Sequence, residues 1–138
     1  MRVLIDTNII IDYFAKRPFF YSNAREMISL CAEKKIDGYI AAHSVTNAFY
    51  ILRKNMTISE LRDALTNLFT ITTIVGIDSV KLLAAIKNEN FSDIEDCLQA
   101  ECAKSISAEY IVTRNIKDFK NSKIPAVLPE DFLKLPNI

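Results

Sequence analysis

Short apolar runs that end at polar residues alternate along this chain with longer amphipathic stretches. Val3-Leu4-Ile5 ends abruptly at Asp6, and the run from Tyr110 to Thr113 opens into Arg114 and Asn115. Apolar runs of this length, bounded by turn residues, predict buried β-strands. Three more strands are predicted, at 39–42, 70–75 and 126–128.

The stretches between these runs predict helices, because their apolar residues recur at helical spacing. Pro18 stops the first helix, and Asp37-Gly38 predicts a turn before the second strand. Strands separated by helices predict a parallel sheet covered on both faces, which is the α/β class. The predicted helices cover 9–14, 22–34, 44–54, 58–68, 78–88 and 93–104.

Acidic side chains gather at the predicted carboxyl edge of this sheet. Asp6 directly follows the first strand, and a later helix begins with Asp93, Glu95 and Asp96. Open α/β sheets bind ligands at this edge, so we expect one shared site there. Clustered carboxylates without cysteine or histidine favour a hard divalent cation such as Mg²⁺ or Mn²⁺.

Most of these acids also have a structural interpretation. Asp6 fits a strand end or a helix cap, and Asp93 fits the first turn of a helix, where the dipole favours negative charge. Ser92 with Glu95 fits a capping box, so Glu95 is predicted to be structural. Asp96 lies one turn into a largely apolar helix, which leaves little room for a charge without a function.

Composition narrows the classes of function. The 138 residues fit a single domain, 1–138, and the formal net charge of zero means that only local patches or a metal can attract a polyanion. Three cysteines, Cys31, Cys97 and Cys102, form no CxxC pair and favour a reducing, cytoplasmic location. No apolar run has the roughly 18 residues of a membrane span, so we expect no membrane association. A glycine-rich phosphate loop is absent, so the sequence supports neither a Walker NTPase nor a dinucleotide-binding protein.

Three motifs, in order, resemble those of the PIN domain family, whose small bacterial and archaeal members include the VapC-type toxins. They are Val-Leu-Ile-Asp6-Thr-Asn-Ile-Ile-Ile-Asp, the helix from Asp96 with Ala100 and Ala103, and Ile-Val-Thr113-Arg-Asn-Ile-Lys-Asp118-Phe. The resemblance covers essentially the whole chain. It implies a three-layer α/β/α sandwich with a mostly parallel sheet, often dimeric, whose acids bind Mg²⁺ or Mn²⁺ and hydrolyse phosphodiester bonds, usually in RNA.

The same resemblance assigns roles to individual residues. Asp6 matches the family's first acid, Asp96 its third, and the loop ending at Asp118 its fourth, variable acidic position, so these three are the candidate catalytic and metal-binding residues. The second acid, usually Glu, is matched by Asn47, which carries no charge and cannot act as a general base. Two interpretations stay open. Either the chain is a nuclease with a weaker or rearranged site, in which Asp93 serves as a substitute ligand, or it is a degenerate domain that binds RNA or a protein without cutting.

Polar and basic residues complete the predicted site. Arg114 and Lys117, with Lys120 and Lys123 nearby, form a basic stretch that suits RNA phosphates, although exposed lysines need no function. His43 stands alone before a helix and is interpreted as structural. The expected partners are an RNA substrate, an antitoxin protein and a second copy of the chain. The candidates to line the site are Thr7, Asn8, Asn47, Thr113 and Asn115, of which Asn47 has a buried, backbone-bonded amide as its structural alternative.

Overall fold

One all-parallel sheet of five strands forms the centre of the protein, and the computed structural model describes all 138 residues. The strand order is β3-β2-β1-β4-β5, so β1 lies in the middle and pairs with β2 and β4. The predicted α/β class and parallel sheet are therefore confirmed. The strands are β1 (Arg2–Ile5), β2 (Asp37–Ala41), β3 (Thr73–Val75), β4 (Tyr110–Val112) and β5 (Ala126–Val127).

Seven α-helices and one 3₁₀ helix cover the sheet. Side chains alternate across β1, so that Val3 and Ile5 pack under α1 to α4 and α7, whereas Leu4 packs under α6 on the opposite face. This arrangement confirms the three-layer α/β/α sandwich. The helices are α1 (Thr7–Phe14), α2 (Tyr21–Ala32), α3 (Ala42–Leu52), α4 (Ile58–Ile71), α5 (Ser79–Lys87), α6 (Ile94–Ser105) and α7 (Pro129–Phe132), with the 3₁₀ helix at Ile116–Phe119.

Two local predictions are wrong. The predicted strand at 70–75 begins only at Thr73, because α4 continues to Ile71, which packs on the same core as Leu68. The hydroxyl of Thr70 donates to a carbonyl within the helix, so this β-branched residue is accommodated there. Asp37-Gly38 was predicted as a turn and instead begins β2, where a Cβ on Gly38 would overlap the sulfur of Cys31.

No helix has both the length and the apolar character that crossing a membrane requires.

Candidate active site

A polar cavity of about 510 Å³ opens at the carboxyl edge of the sheet, where β1 and β2 meet the starts of their helices. Three of its thirteen lining residues are hydrophobic, so the cavity suits a charged or strongly hydrated ligand. The polar lining comes from the end of β1 and start of α1 (Asp6, Thr7, Asn8), the following loop (Arg17), α3 (His43, Asn47), α6 (Glu95, Asp96, Gln99) and the loop after β4 (Asn115).

Asp6 is the centre of a hydrogen-bond network at this edge. It caps α1, because Oδ1 accepts from the backbone N–H of Thr7 at 2.8 Å. Asn8 Nδ2 (3.1 Å) and Thr113 Oγ1 (2.7 Å) donate to Oδ2, and Gln99 Nε2 (3.1 Å) donates to Oδ1. The side chain is only 7% exposed, and burial raises its pKa, while the bond from Thr113 opposes that rise. Asp6 is thus held in one orientation as well as buried.

Gln99 is a buried residue that the sequence did not identify. It is 2% exposed, and its Nε2 lies 2.7 Å from Ser44 Oγ and 3.2 Å from Thr7 Oγ1, in addition to its bond to Asp6. These contacts connect α6 to α1 and α3 around the carboxylate. Its Oε1 is buried without a hydrogen-bond partner. The sequence holds one signal for Gln99. It is a polar residue three positions after Asp96, on the same side of an apolar helix.

Asp96 is half-buried in the first turn of α6 and lies within electrostatic reach of the other acids. Its pKa is raised to about 7, first by burial and then by the negative charges of Asp93, Asp118, Asp6 and Glu95. The predicted acids are therefore brought to one edge of the protein, although Asp93 and Asp118 are exposed and do not line the cavity.

The start of α6 differs from the sequence prediction. Asp93 caps the helix, accepting from the backbone N–H groups of Glu95 (2.7 Å) and Asp96 (3.1 Å), so the predicted capping box from Ser92 does not form. Ser92 and Asp93 are both favoured caps, and the residue nearer to the helix satisfies two donors here. Glu95, which we predicted to be structural, lines the cavity instead.

The first two turns of α3 contribute Asn47 and His43 to the cavity wall. Asn47 is half-buried, at the position that the resemblance assigns to the missing second acid. His43, interpreted as structural from the sequence, also lines the cavity, and burial lowers its pKa against the opposing charge of Glu95. Its Nδ1 is buried without a hydrogen-bond partner.

Two of the predicted lining residues support the site from different depths. Thr113 is fully buried behind Asp6, and its Oγ1 also accepts from the backbone N–H of Asn115 at 3.0 Å. Asn115 itself reaches the cavity wall. The loop after β4 is thereby tied to the Asp6 carboxylate.

The sequence suggested that Arg114 is a free cation beside the cavity, but in the structure this side chain is paired. Its Nε and Nη2 donate to both oxygens of Asp12 (2.6 and 3.2 Å), a carboxylate that is 1% exposed. The cation in the cavity wall is Arg17, whose Nη1 lies at a looser 3.6 Å from Asp12. Lys117 is exposed on the 3₁₀ helix, in keeping with a solvated basic surface. The pairing of residues 102 positions apart leaves no local signal in the sequence.

The oxygen donors around the cavity suit a divalent cation. All the acids at this edge present oxygen donors, which is the chemistry that Mg²⁺ and Mn²⁺ prefer, and Asn8 Oδ1 is buried there without a partner. No three of the His, Cys, Asp and Glu side chains lie together at ligand spacing. Mg²⁺ needs only one or two carboxylates beside water and phosphate oxygens, so the donor set fits.

Comparisons with known proteins agree with this architecture. Ribonuclease VapC1 of Aquifex aeolicus is 27% identical in an alignment of length 138, and this alignment covers 95% of this chain and 92% of the relative. Two solved structures share the fold. VapBC2 from Rickettsia felis, bound to a DNA fragment from its promoter, has a TM-score of 0.67 and 21% identity, with 93% of this chain and 98% of that chain covered. A toxin–antitoxin complex from Klebsiella pneumoniae has a TM-score of 0.66 and 23% identity, with 92% of this chain and 97% of that chain covered. The PIN domain model matches residues 2–117, and the chain therefore belongs to the PIN domain family.

Proposed function

We propose that this chain is a divalent-metal-dependent endoribonuclease and the toxin of a toxin–antitoxin pair. The observation that carries the proposal is the pair of carboxylates, Asp6 and Asp96, in one polar cavity at the carboxyl edge of the sheet. The curated relative is named a ribonuclease, and two of the solved structures with this fold are toxin–antitoxin assemblies.

The residues of the cavity have distinct roles in this proposal. Asp6 and Asp96 hold the ion, with Asp118 and Asp93 as outer acids. When bound, Mg²⁺ or Mn²⁺ would supply Lewis-acid chemistry, which makes a phosphate more electrophilic and a water molecule easier to deprotonate. In this proposal Arg17, in the cavity wall, neutralises a non-bridging phosphate oxygen, and the exposed Lys117 contacts the RNA backbone outside the cavity.

Hydrogen-bonded neighbours keep the Asp6 carboxylate in place during this reaction. Gln99 and Thr113 donate to opposite oxygens of Asp6, so the side chain cannot rotate when an ion or a phosphate approaches. Asn115 and Asn8 are close enough to the same cavity to orient a water molecule or a phosphate oxygen.

Exposed apolar side chains support the proposed protein partners, an antitoxin and a second copy of the chain. Val80, Leu83 and Ile86 are 74%, 51% and 61% exposed, and their spacing places them on neighbouring turns of α5. A patch of this kind is typical of a surface that contacts another protein.

The proposal predicts metal-dependent cleavage of RNA. Purified protein incubated with mixed cellular RNA should produce fragments in Mg²⁺ or Mn²⁺ and none in EDTA, because the carboxylates act through the ion. Gel analysis of fragment sizes over time measures the rate. Undiminished cleavage in EDTA would contradict the metal requirement. RNA that stays intact in both Mg²⁺ and Mn²⁺ would contradict the proposed nuclease activity.

A second candidate function is a PIN domain that binds RNA or a protein without cutting. Asn47 favours it, since an amide in the cavity wall adds no negative charge to the ion site. The two candidates differ in what an added acid at this position should do.

Asn47→Glu is expected to tighten Mn²⁺ binding by about tenfold and to speed RNA cleavage, because it adds a carboxylate to the proposed ion site. In metal-free protein the new charge should lower the melting temperature, and Mn²⁺ should restore it, since a ligand of the folded state stabilises it by mass action. Calorimetric titration measures the affinity.

Asn47→Gln is the matched control, because it lengthens the side chain without adding charge. Equal Mn²⁺ affinities for the parent and the Glu variant, with no metal-dependent recovery of melting temperature, would place residue 47 outside the ion site. A parent that binds RNA without cutting it, combined with cleavage by the Glu variant alone, would favour the second candidate.

A further inference from the structure

A second cavity, of about 300 Å³, adjoins the candidate active site at the loop between α1 and α2. Residues that are close together in the chain line different cavities. Arg17 and Asn115 line the larger one, whereas Phe19 and Arg114 line the smaller one. Arg17 from the larger cavity and Arg114 from the smaller one both contact Asp12, so the two cavities lie close together.

Phe19 is held out into solvent by a turn of unusual composition. The backbone N–H of Phe20 donates to the carbonyl of Arg17 at 3.2 Å, Pro18 occupies the second position and Phe19 the third, with φ of 70°. A turn with proline second and positive φ third favours glycine or asparagine at that third position. The chain places there a phenylalanine that is 96% exposed, so core packing does not explain the residue.

The smaller cavity contains a guanidinium group held in a fixed position against an aromatic ring. The guanidinium carbon of Arg114 lies 4.0 Å from the centroid of the Phe20 ring, and the same guanidinium is fixed by its two hydrogen bonds to Asp12. An aromatic ring covered by a fixed cation is a pre-organised surface for a planar, electron-rich group.

We propose that this loop binds one base of a single-stranded RNA substrate, beside the scissile phosphate, by stacking on Phe19; the inference rests on the proposed function. Exposed aromatic rings next to cations are a common means of holding unstacked RNA bases. Lys16 is exposed beside the turn, where it can neutralise the nucleotide's phosphate. Asn23 and Glu130, also in the cavity wall, offer a donor and acceptors to the edge of the base.

The chain contains no tryptophan, so Phe19→Trp introduces a single indole at the proposed contact. The probe is a short mixed-sequence single-stranded RNA, added to this variant in an Asp96→Asn background to suppress turnover. We expect saturable quenching of the indole fluorescence as a base stacks on it. Phe69→Trp in the same background is the matched control, because Phe69 is also exposed (54%) but lies on α4 and lines neither cavity. It should not be quenched.

Phe19→Gly separates binding from stability. With otherwise unchanged protein, kcat/KM for the same RNA should fall about tenfold, mainly through KM, because one stacking contact is lost. The melting temperature should be no lower than that of the parent, since glycine accepts the positive φ without strain.

Unchanged kcat/KM in Phe19→Gly, or no quenching of Phe19→Trp by RNA that the parent cleaves, overturns the stacking proposal and leaves the nuclease standing. Quenching by a purified protein partner but not by RNA overturns it as well and identifies the loop as a protein contact. A parent that neither cleaves nor binds RNA overturns the proposed function and this inference together.

Discussion

Asp96→Asn is expected to reduce metal-dependent RNA cleavage by about a hundredfold or more, because it removes one of the two cavity carboxylates that are proposed to hold the ion. Asp63→Asn, on an exposed part of α4, is the matched control and should cleave at the parental rate. Rates are measured at saturating Mn²⁺ with each variant's folding verified by circular dichroism. Parental cleavage by the Asp96 variant would remove this residue from the proposed mechanism.

The same substitution should stabilise the protein in EDTA, by an amount that depends on pH. The pKa of Asp96 is raised from 3.8 to about 7, chiefly by burial and then by the neighbouring acids. Across that window the unfolded chain has released the proton and the folded chain retains it, so the parent loses stability as pH rises. Above the window the loss is complete, and we expect it to be about 1–2 kcal/mol once contact with solvent is allowed for.

Urea unfolding of parent and variant in EDTA measures this difference. The two free energies of unfolding should agree at the acidic end of the window and diverge at the neutral end, where only the parent carries the extra charge. A constant difference at all pH values would show that the amide acts through packing and not through charge. Asp6→Asn is less informative, because Asp6 accepts four hydrogen bonds and its replacement also disturbs them.

Arg114→Ala is expected to lower the free energy of unfolding by about 3 kcal/mol, since it leaves Asp12 as a buried carboxylate without its bidentate partner. Arg17, at 3.6 Å, compensates only in part. For a domain of this size the melting temperature should fall by about 10 °C. Thermal and urea unfolding at neutral pH measure both quantities.

Replacing both partners separates the buried charge from the lost contact. Asp12→Leu with Arg114→Leu should recover most of the stability, because no unpaired charge remains in the interior. Lys117→Ala is the control from the same loop, and its exposed side chain predicts an unchanged melting temperature. A loss below about 1 kcal/mol for Arg114→Ala would mean that water reaches Asp12.

The fold was predictable because its signals are local. Apolar runs that stop at Asp6 and at Thr113 mark the central strands, and their alternation with helical spacing determines the parallel arrangement. The error at 70–75 arose where two local preferences conflicted. Thr70 and Ile71 favour a strand by their side chains, but the apolar spacing of α4 continues through them.

The site was less predictable, because much of it depends on contacts between distant residues. The resemblance directed attention to Asp6 and Asp96, whereas Gln99 and Arg17 line the cavity without belonging to any motif that we recognised. Arg114 shows the opposite case. Its charge and its place after β4 suggested phosphate contact, and only the folded chain reveals Asp12 beside it.

The hydrogen bonds around Asp6 also determine when, during synthesis, the cavity can form. Asp6 leaves the ribosome early, but the side chains of Gln99 and Thr113 that fix it follow 93 and 107 residues later. The strand before Asp6 likewise lacks one of its two neighbours until β4 emerges. Since domains fold as units during synthesis, a nascent chain carries no finished cavity. A site built in this order is completed only after Gln99 and β4 have emerged from the ribosome, so the proposed nuclease has no formed cavity during most of the synthesis of this domain.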